Sequence, residues 1–122
     1  MQRDWDCVRA ILMAIEDKPI PRTIVQPEEL RAWAPEVVMH NMHLLGEAGL
    51  IEIRERLKNG APIVCVALQM TWEGHELLDR IRRLDTWNQL RAIARDRAID
   101  LTFDAIKILA AKYVEHLLSR GI

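Results

Sequence analysis

Between Pro35 and Met70 the hydrophobic period changes once, from helical to alternating, and that switch restricts the folds open to this chain. Val38, Met42 and Leu45 fall on one face of a helix that Pro35 can begin and Gly49 ends. From Ile51 the chain reads as a strand. Asn59-Gly60 is the strongest two-residue hairpin turn, because both residues accept positive φ. Through that turn Lys58 is expected opposite Ala61, Leu57 opposite Pro62, Ile53 opposite Val66 and Ile51 opposite Leu68. Ile51 and Ile53 then share one face, and Glu52, Arg54 and Arg56 the other. Pro62 falls in a non-hydrogen-bonded pair, where its missing N–H costs little.

The flanking segments read as helices. Asp4 caps a first helix over about 5–17, with Trp5, Val8, Ile11, Leu12 and Ile15 on one stripe. Lys18-Pro19-Ile20-Pro21 ends it. A short edge strand fits Thr23–Val25, and Pro27-Glu28-Glu29 opens a short second helix carrying Leu30 and Trp33. Thr71 caps a helix to about Arg83 that buries Trp72, Leu77, Leu78 and Ile81. Asp85 caps the next, with Trp87, Leu90, Ile93 and Ala94 aligned. Asp100 or Thr102 caps the last, with Phe103, Ile106, Ala110, Tyr113 and Leu117 aligned. All four tryptophans, Trp5, Trp33, Trp72 and Trp87, are expected in the core. Gly74, inside a helix, costs about 1 kcal/mol against alanine, which the close approach of another backbone would explain. His75 beside it is expected to be packed or hydrogen-bonded.

A helix ending in Ala48-Gly49-Leu50-Ile51, a hairpin, and then Thr71-Trp72-Glu73-Gly74-His75-Glu76-Leu77-Leu78 resembles the winged helix-turn-helix. Together with Arg3-Asp4-Trp5-Asp6, His43-Leu44-Leu45-Gly46-Glu47, and Phe103-Asp104-Ala105-Ile106-Lys107, these pieces also resemble domain-of-unknown-function family 2513. Thr71-Trp72-Glu73-Gly74-His75 is the most specific of them. The first resemblance implies a mainly α protein with a small β-hairpin: a winged helix-turn-helix over 1–82 and C-terminal helices over 83–122 that pack on it or form a dimer interface. The second implies a small bacterial or phage protein and carries no known catalytic or binding residues.

Composition narrows the function classes. The chain has 122 residues, 50% of them hydrophobic and 29% charged, as in an ordinary globular domain able to bury a core. Its two cysteines, Cys7 and Cys65, lack metal-ligand spacing and read as reduced thiols of a cytoplasmic protein. No stretch is apolar enough to span a membrane, and the N-terminus does not read as a signal peptide. The net charge is -1, with 8 Lys and Arg against 10 Asp and Glu over residues 1–70. Nucleic-acid contact therefore needs a local cationic cluster. No phosphate loop, nucleophile elbow or metalloprotease motif is present, so no enzyme and no cofactor are expected.

Three groups of residues are candidates for binding. The outer face of the third helix, taken as a recognition helix over 35–48, carries Glu36, His40, His43 and Glu47, with Met39 beside them. In a major groove Glu36 would accept from cytosine, and His40 and His43 would donate to guanine or phosphate. The same residues equally suit a solvated helix face. His40 and His43 lack an independent third ligand, so no metal is expected. The wing, residues 50–70, offers Arg54, Arg56, Lys58 and Asn59 to the DNA backbone, with Arg22 and Arg31 as further contacts. Cations on a hairpin also serve to keep its edge soluble. On the last helix Ile108, Leu109, Val114 and Leu118 widen the apolar surface and suggest a homodimer interface. Arg80, Arg82, Arg83, Arg91, Arg95 and Arg97 are interleaved with acids and read as exposed ion pairs. The expectation is a DNA-binding transcriptional regulator of phage or mobile-element type. The alternative is a module of the same shape that engages a host protein through Met39, Leu44 and the histidines without binding DNA.

Overall fold

A computed structural model describes residues 2–21 and 23–120, the side chains of 113, 114, 116, 117, 119 and 120 excepted. Among these residues the chain forms α1 (Trp5–Glu16), a 3₁₀ turn (Pro27–Glu29), α2 (Pro35–Glu47), β1 (Ile51–Lys58), β2 (Ala61–Met70), α3 (Trp72–Ile81), α4 (Leu84–Asp96) and α5 (Phe103–Arg120). The fold is mainly helical with one antiparallel hairpin, as expected. Packing divides it into two compact units, Met1–Leu78 and Asp79–Ile122.

In the first unit α2 packs against both strands, and α1 packs against α2 and β2. The Asp4 carboxylate caps α1 by accepting the Cys7 N–H at 3.1 Å, and Val8, Ile11, Leu12 and Ile15 are buried on the predicted stripe. The expected second helix is reduced to the single 3₁₀ turn. Pro35 disfavours a helical Ala34, which stands extended, so the window for a helix is too short to propagate. The edge strand is a single antiparallel bridge, Val25 to Ala67, with N···O distances of 2.9 and 3.0 Å.

The hairpin turns at Asn59 and Gly60, both at positive φ (53° and 80°), and pairs Lys58 with Ala61 and Leu57 with Pro62 as predicted. Beyond that the register differs. Ile63 and Leu68 are extra residues on β2, so Ile53 faces Ala67 rather than Val66, and Ile51 faces Met70 rather than Leu68. Ile63 to Leu68 is a continuous apolar run, in which alternation cannot locate a bulge. Each bulge flips the side chains beyond it. The inward set on β2 becomes Cys65, Ala67, Leu68 and Met70.

Helix α2 ends in a Schellman cap. Leu50 N donates to Leu45 O (3.0 Å), Gly49 N donates to Gly46 O (3.1 Å), and Gly49 takes φ +75°. Thr71 then starts α3: its hydroxyl donates to Gly49 O at 2.6 Å and accepts the Gly74 N–H at 3.2 Å. Trp72 is not core. Gly74, Leu77, Leu78 and Ile81 share one helix face, and Trp72 stands opposite at 76% exposure, its indole N–H donating to Glu76. His75 is exposed as well, while Trp5 and Trp33 are half-buried and Trp87 is buried.

In the second unit α4 packs against α5, with Trp87, Leu90, Ala94, Ile106 and Ala110 buried. Arg83 holds the cap position of α4, and Asp85 lies in the first turn, bonded to the Arg83 guanidinium at 3.0 Å. Thr102 is the side chain that caps α5, accepting from Ala105 N at 3.0 Å. The end of α4 repeats the α2 cap: Ile99 N donates to Ala94 O (2.8 Å) and Ala98 N to Arg95 O (3.2 Å). Here Ala98, not glycine, carries the positive φ of 53°. The left-handed conformation costs an alanine about 1–2 kcal/mol, partly offset by glycine's greater freedom when unfolded. Ala98→Gly is therefore expected to stabilise this unit by about 0.5–1 kcal/mol, seen as a rise of a few degrees in its calorimetric transition. An unchanged or lowered transition would contradict the cap.

Candidate nucleic-acid interface

Helix α2 and the hairpin present the candidate residues, and one side chain links them. His43 projects from α2 toward β1. Its Nδ1 lies 2.8 Å from Glu55 Oε2 and 3.0 Å from Oε1, placing a ring N–H to donate to that carboxylate. Its Nε2 lies 3.3 Å from Glu47 Oε1. The ring is mostly buried between two carboxylates. Both its nitrogens are thus occupied within the protein, which leaves neither free for a base edge.

The rest of the α2 face divides along its length. Glu36 is exposed in the first turn, while Met39 and His40 are half-buried, as is Leu44. Glu47 is exposed at the far end. This face carries no lysine or arginine, and its C-terminal half is acidic through Glu47 and the neighbouring Glu55. The two carboxylates disfavour a phosphate there.

The hairpin is the cationic element. Arg54, Arg56 and Lys58 are exposed at alternate positions of β1, so they share its outer face, and Asn59 is exposed at the tip. Val66 stands opposite Arg54 and Val64 opposite Arg56, so no carboxylate faces either arginine across the ladder. Among the described residues Arg54, Arg56 and Lys58 make no ion pair. Leu57, Ile63 and Val64, about half exposed, add an apolar edge. Arg31 is exposed in the turn before α2, and Arg22 lies outside the described residues.

Of the dimer candidates, Ile108 and Leu118 are exposed and Leu109 is half-buried; the Val114 side chain is outside the described residues. The arginine run behaves as expected at two places, Arg82 with Asp79 at 2.9 Å and Arg83 with Asp85 at 3.0 Å. Cys7 and Cys65 are free and buried; desolvation, with Asp4 and Glu55 respectively nearby, pushes both thiols up to about 12. They are structural, not reactive. No cluster of three metal-ligating side chains occurs among the described residues, and none of their helices is long and apolar enough to cross a membrane.

Two features went unread in the sequence. Glu55 follows Ile51 and Ile53 on the inward register of β1, and a carboxylate on an apolar face signals an internal partner. Asn41 interrupts the α2 stripe of Val38, Met42 and Leu45, and it is fully buried.

This chain belongs to domain-of-unknown-function family 2513, described as "Hypothetical protein (DUF2513)", whose family-wide profile matches residues 2–100. It is similar to an "Uncharacterized protein" of Haemophilus influenzae, 34% identical over 119 residues that cover 98% of this chain and all of that protein. No solved structure matches it.

Proposed function

We propose that this protein is a cytoplasmic DNA-binding regulator of winged helix-turn-helix type, as found in phages and mobile elements, in which the wing dominates the contact. The observation that carries this reading is the set of three exposed cations, Arg54, Arg56 and Lys58, on one face of a hairpin that His43 and Glu55 tie to α2. A ribbon held in this way spaces the three residues about 6.8 Å apart along the strand, two residues per step, on a backbone already ordered before binding. Glu36, Met39 and His40 in the N-terminal half of α2 are the residues left to touch bases. The acidic C-terminal half of α2 keeps non-specific affinity low. Two half-sites call for two copies, and Leu118 on α5, exposed, leaves a face for that contact.

Fluorescence anisotropy on a duplex too short for two copies tests the reading. Binding at about 50 mM salt is expected to weaken about a hundredfold at about 200 mM, as for roughly four neutralised phosphates. Arg56→Ala with Lys58→Ala should lower the salt slope by about two. The absence of binding at the lower salt, or an unchanged slope in the double variant, would overturn it.

A protein partner is the second reading, favoured by the acidic end of α2 and, separately, by the exposed apolar edge of Leu57, Ile63 and Val64. Silence toward DNA together with a stoichiometric complex that Leu57→Asp disrupts would decide for it.

A further inference from the structure

The second unit holds a groove that the DNA reading does not use. It has a volume of about 360 Å³ and is lined by Ile93, Ile99, Ala105, Ile108 and Leu109, with Arg97 and Lys112. The turn on Ala98 folds Ile99 back to wall it, and Ile99 and Ile108 remain 40% and 57% exposed. Its lining contains two cations and no carboxylate. Arg97 lies at the end of α4 and Lys112 on α5, so the two charges reach the groove from different helices. Among the described residues neither side chain makes an ion pair or hydrogen bond. The volume falls at the small end of the range for small-molecule sites, about 300–1,000 Å³.

We propose that this groove binds a small amphiphilic monocarboxylate, such as a medium-chain fatty acid. The aliphatic chain lies on the isoleucine and leucine floor, and its carboxylate takes the Arg97 fork and the Lys112 ammonium. An uncharged apolar ligand would leave both cations unused, and a cationic one would be repelled. Charge complementarity thus selects the anion, and the apolar floor selects the chain.

Titration of sodium decanoate into the full chain carrying 13C-labelled isoleucine methyls is the test. The Ile93, Ile99 and Ile108 methyls are expected to shift on one saturable isotherm below the micellar range of decanoate. Decan-1-ol and decyltrimethylammonium should bind at least about tenfold more weakly. Arg97→Gln and Lys112→Gln, made separately, should each weaken decanoate about five- to tenfold while the remaining methyl spectrum stays native. Equal binding of decanol, or shifts that never saturate, would overturn the proposal. Methyl shifts that follow protein concentration without any ligand would overturn it too, since a second copy would then cover the groove. The site is independent of the wing: both glutamine variants should bind duplex DNA as the parent does when decanoate is absent, so failure of either reading leaves the other standing.

Discussion

Gly74→Ala is expected to destabilise the N-terminal unit by about 3–5 kcal/mol, enough to lower its melting temperature by more than about 12 °C. Two effects of opposite sign compete. Alanine is the better helix former by about 1 kcal/mol and has less freedom to lose on folding. Against that, a Cβ at position 74 would stand 2.0 Å from the Leu50 carbonyl oxygen, 3.1 Å from its carbon and 3.3 Å from Met70 Cβ. No rotamer relieves a clash with backbone. That carbonyl is also fixed, because it accepts the Thr71 N–H at 3.0 Å. Relief requires α3 to lift away from the base of the hairpin, which uncovers Leu77 and Leu78. Steric exclusion therefore prevails over propensity. Circular dichroism melting checks the sign, with His75→Ala at the exposed neighbour expected to lie within about 0.5 kcal/mol of the parent. A Gly74→Ala protein as stable as the parent would mean that α3 does not lie against Leu50.

Signals carried by one or two residues were legible in the sequence. Asp4, Gly49, Asn59-Gly60 and Thr71 act through their own backbone or the next turn, so the starts of α1 and α3, the end of α2 and the hairpin tip fall where expected. The glycine at 74 could be read as a close backbone approach because it broke a local preference. What could not be read depends on distant partners. The bulges at Ile63 and Leu68 sit in a run where every residue is apolar, and the bridge from Val25 that selects Ala67 comes from far away in the chain. Trp72 is the exception: its angle to Gly74, Leu77 and Ile81 around the helix is itself local and places it on the exposed face. The candidate site divides in the same way. Strand alternation alone predicted that Arg54 and Arg56 would be exposed. The engagement of His43 by Glu55 depends on how β1 lies against α2, which one helix face cannot reveal. That engagement turns a residue expected to read bases into one that positions the hairpin.

Asn41→Ala is expected to cost about 2–4 kcal/mol. Asn41 is the one fully buried polar residue in the described core, and its amide is satisfied at both ends. Oδ1 accepts the Asp4 N–H at 2.9 Å, and Nδ2 donates to Val37 O at 2.8 Å. Asp4 extends the network, since its carboxylate accepts the Cys7 N–H and, at 3.1 Å, the Trp33 indole N–H. One amide therefore fixes the start of α1 to α2, and through Asp4 to the turn that precedes α2. No buried side-chain nitrogen or oxygen among the described residues lacks a partner, so truncation would create an orphan in a satisfied interior. Alanine leaves the Asp4 N–H unpaired and a cavity beside Val38 and Met42. Asn41→Asp keeps the acceptor but loses the donor and buries a charge, so it should destabilise at neutral pH as well. Asp4→Ala, which removes a cap and the Trp33 bond but not the Asp4 N–H, should cost about 1–2 kcal/mol. Because the two residues share one network, the double variant should lose less than the sum of the singles. Urea denaturation separates these outcomes: the Asn41→Ala midpoint should fall by more than about 1 M. A shift within about 0.5 kcal/mol of the parent, or strict additivity with Asp4→Ala, would show that α2 takes its orientation from apolar packing alone.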